Sequence, residues 1–269
     1  MSGHVHHGSG AWPGWLSLLP FLLALLLYVY TAFKSGRSYK PWPLPRYLYA
    51  FMGAASAAAA VAGPLAERAR TDFAAHMTGH LLLGMLAPLL WTLAAPVTLL
   101  LRALPVRAAR FVAGVLRHRA FGLLSDPLTA SLLNIGGLYV LYLTNVYSLM
   151  HHSFILHLVI HAHVFLAGCL FTASMISIDP APHRKSFVYR AAVLILALAA
   201  HGILAKYLYA HPPEGVIAEQ AEIGSLIMYY GGDAVDIVLI TLFCQQWYKA
   251  ARPRNADVQG SGRQKSRSS

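Results

Sequence analysis

The sequence predicts an all-α membrane protein, a bundle of seven transmembrane helices with the N-terminus outside and the C-terminus in the cytoplasm. Three observations carry that expectation. The 269 residues are 57% hydrophobic and only 12% charged, whereas a soluble domain carries about 25% charged residues. The apolar residues gather in runs of about 20, long enough to cross roughly 30 Å of hydrocarbon. The basic residues gather in alternate loops, the pattern that sets membrane orientation.

The expected spans are 14–33, 46–65, 72–101, 127–150, 153–178, 187–210 and 223–248. No basic region precedes the first run and no cleavage site follows it, so it is expected to be retained as a span. The second is rich in alanine (Ala54, Ala55 and Ala57 to Ala60), which lets helices approach closely. The third is longer than one straight crossing needs. Pro88 and Pro96 are expected to kink it, or to end it so that the remainder lies in the interface.

The loops fix direction. Lys34, Arg37, Lys40 and Arg46 follow the first span, Arg102, Arg107, Arg110, Arg117 and Arg119 the third, and Arg184, Lys185 and Arg190 the fifth. The opposite side carries Arg68 and Arg70 beside Glu67 and Asp72, with Glu214, Glu219 and Glu222. The net charge of +11 is therefore a membrane-topology signal rather than a nucleic-acid one. Three regions result: an outer tail over 1–13 with His4, His6 and His7, a membrane domain over 14–248, and a basic, disordered cytoplasmic tail over 249–269. Cys169 and Cys244 sit in different apolar runs without a C-x-x-C pair and are expected to be buried, small apolar residues.

The candidate site is a layer of histidines. At 1.5 Å per residue, His76 and His157 fall roughly 6 Å below the outer surface, His80 and His161 roughly 12 Å, and His201 roughly 13 Å. Two of the helices present i, i+4 pairs, which share a face. An imidazole in lipid is costly unless it pairs, binds metal or faces water, so His76, His80, His157, His161 and His201 are the expected metal ligands. Imidazole suits copper, zinc and haem iron alike, and Met77, Met85, Met150 and Met228 at the same depth tilt the choice toward Cu(I). His163 points elsewhere, and His151 and His152 lie in an outer turn close to the layer. Asp233 and Asp236 follow a Gly231-Gly232 pair deeper in the last span and need a partner, for which Lys206 is a candidate. Asp179 is expected to terminate the fifth helix rather than to do chemistry.

Several of these residues fall in recognisable motifs. They are His76-Met77-x-x-His80-Leu81-Leu82-Leu83, Ala87-Pro88-Leu89-Leu90, Ala95-Pro96-Val97-Thr98-Leu99-Leu100-Leu101-Arg102, Asp179-Pro180, His201-Gly202 and Gly224-x-Leu226-Ile227-Met228. In these the chain resembles the CtaG family of multi-span cytochrome c oxidase assembly factors, over most of residues 70 to 248. The family commonly places an Asp-Gln pair before the last motif and a Trp after it; here Glu219-Gln220-Ala221-Glu222 and Tyr229 stand there. The resemblance implies a non-enzymatic factor in a bacterial inner membrane that supplies copper to a subunit of a haem–copper oxidase. Two other functions fit an imidazole layer. One is a haem-binding cytochrome or haem carrier. The other is an intramembrane zinc hydrolase, which needs three protein ligands and an activated water.

Overall fold

The computed structural model describes residues 15–252. His4, His6 and His7 and the tail beyond Arg252 lie outside the described residues, as does the side chain of His151. The described chain is helical throughout. Its elements are α1 (Trp15–Ser38), α2 (Leu44–Val61), α3 (Pro64–Arg68), α4 (Phe73–Leu81), α5 (Ala87–Ala94), α6 (Pro96–Ala103), α7 (Val106–Arg117) and α8 (Arg119–Leu124). They continue as α9 (Pro127–Ser131), α10 (Gly137–Leu143), α11 (Val146–His152), α12 (Phe154–Met175), α13 (Phe187–Ala210), α14 (Ala218–Leu226) and α15 (Gly232–Ala251).

Six stretches among the described residues are long and apolar enough to cross a membrane: Leu16–Ser38, Leu44–Arg68, Phe73–Ala103, Phe154–Met175, Phe187–Ala210 and Ala218–Ala251. This is a multi-pass membrane protein. The segment expected to span from 127 to 150 is a shorter apolar helix, Pro127–Leu143. It stops because Thr144 turns its hydroxyl back onto the Val140 carbonyl, 2.5 Å away, and also accepts the Val146 N–H at 3.4 Å. The chain then restarts as the separate helix α11.

The bundle's starts and stops follow from local chemistry. Asp72 caps α4 by accepting the N–H groups of Ala74 and Ala75 at 2.8 and 3.3 Å, and Ser153 caps α12 by accepting that of Leu156 at 3.4 Å. Such caps satisfy amides that the helix itself leaves unpaired. The two prolines of the long third span act differently. Pro88 lies in the first turn of α5, just after a π-helical turn over Leu82–Leu86. Pro96 opens α6 after Ala95, whose φ of 55° marks a sharp reversal of the backbone. That break is held from outside: Asp179 accepts the N–H groups of Val97 and Thr98, at 3.2 and 2.7 Å, and the Thr98 hydroxyl at 2.6 Å. Asp179 therefore caps the start of α6 in addition to following α12.

Packing divides by element. The alanine face of α2 (Ala50, Ala54, Ala57 and Ala60) is buried, and Gly53 lets the Trp91 indole of α5 come within 3.0 Å of where a Cβ would stand. Tyr28 of α1 donates its hydroxyl to the Ala94 carbonyl at 2.8 Å and accepts the Trp42 indole N–H at 2.8 Å, tying α1 to both neighbours. α1 otherwise turns Leu23, Leu26 and Phe33 outward, as a lipid-facing helix does. Arg190 is wholly buried. It donates to the Met175 carbonyl at the end of α12, 2.7 Å away, and lies over the Phe187 ring. A cation there complements the negative end of the helix.

Candidate metal-ion site

The histidines expected from sequence fall at one end of the bundle, in two groups. His80 and His201 face each other across α4 and α13 with ring centres 6.3 Å apart and planes tilted by 31°. Both are buried, at 8% and 4% exposure, and the Nε2 atom of each is buried with no hydrogen-bond partner. A buried polar nitrogen left without a partner costs free energy, so two such atoms in one cavity mark a place where a ligand could bind. Two imidazoles sharing one metal at ~2.0 Å per nitrogen hold their ring centres about 6 Å apart.

Two glycines make room for these rings. A Cβ on Gly232 would stand 2.7 Å from Cε1 of His201, and one on Gly84 would stand 3.3 Å from Cε1 of His80. The shared cavity of about 30 Å³ is also lined by Met85, Asn134, Thr172 and Asp236. That volume suits an ion or a water rather than a macrocycle. Two π-helical turns border it, Leu82–Leu86 and Leu132–Gly136, and a third, Ile227–Gly231, precedes the stretch that carries Gly232 and Asp236. Such turns are rare and recur at functional sites. Their register shifts carry Gly84 and Met85 to the cavity on one helix and Asn134 on another, and in the last span Asp236 follows the third turn.

The remaining pairs behave otherwise. His157 and His161 stack on one another, ring centres 4.0 Å apart, and the Nδ1 of His161 lies 2.9 Å from the His157 carbonyl. A carbonyl only accepts, so this Nδ1 carries the proton and Nε2 holds the lone pair. His76 is bound into an aromatic cluster. Its Nε2 meets the Tyr142 hydroxyl at 3.1 Å, it stacks on Phe73, and it meets the Tyr147 ring edge-on at 5.0 Å. His76, His80 and His161 do line a second cavity of about 30 Å³, with Met150 and Tyr142.

The five imidazoles are therefore not one cluster. Among the described residues no three of histidine, cysteine, aspartate and glutamate come together closely enough to hold one metal ion. The reason is helix facing: α12 directs its two rings toward a groove beside α1, while α13 meets α4 on the other side. His163 is satisfied by packing, its Nε2 donating to the Leu133 carbonyl at 3.1 Å. Met77 and Met228 are sealed in an apolar core with Phe73, Tyr142 and Leu204, and Met150 belongs to that core but also borders the second cavity; Met85 is the thioether lining the cavity between His80 and His201. Lys206 lies over the Tyr229 ring at 5.2 Å, Asp233 is exposed and Asp236 is buried. The expectation of two buried cysteines is corrected: Cys169 is half-buried and Cys244 is exposed on the bundle's outer face. Gln220 accepts the Phe73 N–H at 3.3 Å and so fixes the start of α4.

Sequence reasoning missed Gly84, Asn134 and Tyr142, and read Gly232 only as half of a glycine pair ahead of Asp233 rather than as the residue beside His201. Their signal was present only as residues spaced one turn from, or facing, a histidine.

Residues 26–250 match the family described as cytochrome c oxidase caa3 assembly factor. The chain belongs to that family. It is 29% identical over 167 residues to an uncharacterized protein of Mycobacterium bovis and to one of Mycobacterium tuberculosis. It is 26% identical over 181 residues to one of Mycobacterium leprae. The matches cover 60% of this chain and 25% of the first two relatives, and 65% and 28% for the third. The chain thus spans about a quarter of the length of the curated relatives it matches. No solved structure matches it.

Proposed function

We propose that this family member is a non-enzymatic assembly factor that carries a Cu(I) ion between His80 and His201 and delivers it to a haem–copper oxidase subunit in the same bacterial inner membrane. The observation that carries the reading is the pair of opposed imidazoles whose buried Nε2 atoms have no partner. Cu(I) is a soft ion for which thioether and imidazole are suitable ligands, and Met85 lines the same cavity. A site with two nitrogens and an adjacent sulfur holds the ion without enclosing it, as release to an acceptor requires. Zinc hydrolysis needs three protein ligands and an open position, a demand this pair does not meet. In this reading seven segments cross the bilayer, the Pro127–Leu143 helix among them. The end that carries Asp72, Ser153 and Ala210 faces outside, as the basic loops at the opposite end require.

The test is anaerobic titration of the purified full chain with Cu(I) in mild detergent. Wild type is expected to hold one ion per chain, His80→Ala and His201→Ala to lose it, and His76→Phe to retain it. A Soret absorption band without bound copper would instead establish the haem reading. Wild-type uptake by both His80→Ala and His201→Ala would overturn the site.

A further inference from the structure

At the end of the bundle away from the histidines, α7 and α8 link the long third span to the Pro127–Leu143 helix. α7 is built in three strips at helical spacing. Ala109, Val112 and Leu116 turn inward, Leu116 down to 9% exposure. Phe111 and Val115, one turn apart, stand out at 74% and 48% exposure. Arg107, Arg110 and Arg117 form the third strip, and all three are exposed.

These arginines have no counter-charge. From Phe73 to Ser125 the chain contains neither aspartate nor glutamate, and among the described residues no carboxylate pairs with Arg107, Arg110 or Arg117. Arg102, one element earlier, is used differently. It donates to the Lys40 carbonyl at 2.9 Å and lies over the Tyr39 and Trp42 rings, so it serves the bundle's own packing. The far end of α7 is fixed in place. Nε2 of His183 donates to the Arg117 carbonyl at 3.0 Å, and Gly122 of α8 admits that ring, since a Cβ there would stand 2.9 Å from it. The two exposed strips are therefore held outward.

We infer that α7 lies in the membrane–water boundary and binds the headgroups of acidic phospholipids. Phe111 and Val115 enter the acyl edge, and Arg107, Arg110 and Arg117 meet phosphate at headgroup level. An apolar strip beside a basic one is how a helix seats in an interface, and anionic lipid adds attraction for each basic residue held near its surface. The long arginine stems let the guanidinium groups reach phosphate while the Phe111 ring stays in hydrocarbon. An acidic protein surface would match the arginines alone; the adjoining Phe111–Val115 strip, at the level where the spans end, favours lipid. This inference stands apart from the metal ion and does not depend on it.

The experiment uses the full chain in vesicles of phosphatidylcholine and phosphatidylglycerol, with Phe111→Trp as the reporter. Bromine on an acyl chain quenches a nearby indole, so brominating one lipid at a time reads which lipid sits beside position 111. The emission of the five native tryptophans, measured in wild type, is subtracted. At low salt the brominated phosphatidylglycerol is expected to be favoured about tenfold over brominated phosphatidylcholine. Leu26→Trp, on the exposed face of α1, should be quenched equally by both. Combining Arg107→Gln, Arg110→Gln and Arg117→Gln with the reporter should bring the ratio close to one. Salt at about 1 M, where the Debye length is about 3 Å, should do the same. All three substitutions fall at exposed positions outside the packed face of α7. Equal quenching by the two lipids in the parent reporter would overturn acidic-lipid binding. So would a preference that survives loss of the three arginines, or one equally large at Leu26→Trp. An indole at position 111 that neither lipid quenches would overturn membrane contact and assign the face to water or to an acidic protein.

Discussion

The α4 and α12 pairs share a spacing and a depth, yet the structure treats them differently. On α4, His80 turns toward His201 across a cavity and His76 disappears into an aromatic plug. On α12, His157 and His161 lie over one another at the wall of an apolar groove. Spacing decides which residues share a helix face; what that face meets is decided by the neighbour. Where the neighbour offers glycine at ring level, as Gly232 does beside His201, an imidazole enters the bundle and faces a partner. Where it offers Phe21 and Trp91, the rings stay at the rim.

Adding the missing carbon erases that distinction most strongly. Gly232→Ala places a Cβ 2.7 Å from His201 Cε1, so the ring must swing off its axis with His80. Cu(I) affinity is expected to fall about 10- to 100-fold, the scale of lost ligand orientation, measured by competition titration. Gly202→Ala is the matched control. Its Cβ would meet only the edge of Tyr229, at 3.4 Å, and affinity should not change. If both variants bind alike, glycine does not set the position of the ring.

The next largest effect concerns how α12 reaches the site. A Cβ on Gly168 would collide with the Gly84 carbonyl and stand 2.8 Å from Pro88. Gly168→Ala should force α12 away from the π-helical turn and cost about 1–3 kcal/mol, read as a lowered thermal midpoint in detergent. It should also weaken Cu(I) binding, because Gly84 frames His80. Lost stability with unchanged binding would separate the two regions that meet at Gly168 and Gly84.

The same contrast explains what could be read from the chain. Spans, polarity of loops and the depth of the histidines are one-dimensional properties, carried by hydropathy, charge and rise per residue. The partner of each histidine is not. Nothing in the His157–His161 spacing distinguishes it from His76–His80; the facing of α12 depends on Gly168 closing onto the turn at Gly84, more than 80 residues away. The π-helical turns were equally invisible. Each moves the register of a helix by one residue, so a periodicity of 3.6 misplaces everything beyond it. That is why Asp236 reads as deeper than the site although its side chain lines the cavity. The fourth span was overextended because Thr144 and Asn145 sit within an apolar run, and hydropathy averages over a break made by one hydroxyl.

At the opposite end of the bundle, polar side chains hold helix starts rather than a guest, and their effects are expected to be smaller. Asp179 accepts three hydrogen bonds at the head of α6. Asp179→Ala should cost about 1–2 kcal/mol, as loss of a cap does, with Cu(I) affinity unchanged. A variant that kept stability but lost binding would place Asp179 in the metal route instead.

The smallest effect belongs to Asp126, which caps α9 through the Leu128 N–H at 3.0 Å and pairs with Lys185 at 3.2 Å. Partial burial alone would raise its pKa, but Lys185, the Leu128 amide and the Tyr189 hydroxyl together hold the carboxyl below its ordinary value. A carboxyl depressed in the folded state stabilises above its unfolded pKa of about 3.9, and that contribution is lost as pH falls through the folded value. Lys185 is half exposed, so solvent screens the pair and Lys185→Gln should cost only a few tenths of a kcal/mol at pH 7. The difference in thermal midpoint between the variant and wild type should shrink as the pH is lowered below about 4. A gap that stayed constant with pH would assign the effect of Lys185 to packing rather than to charge.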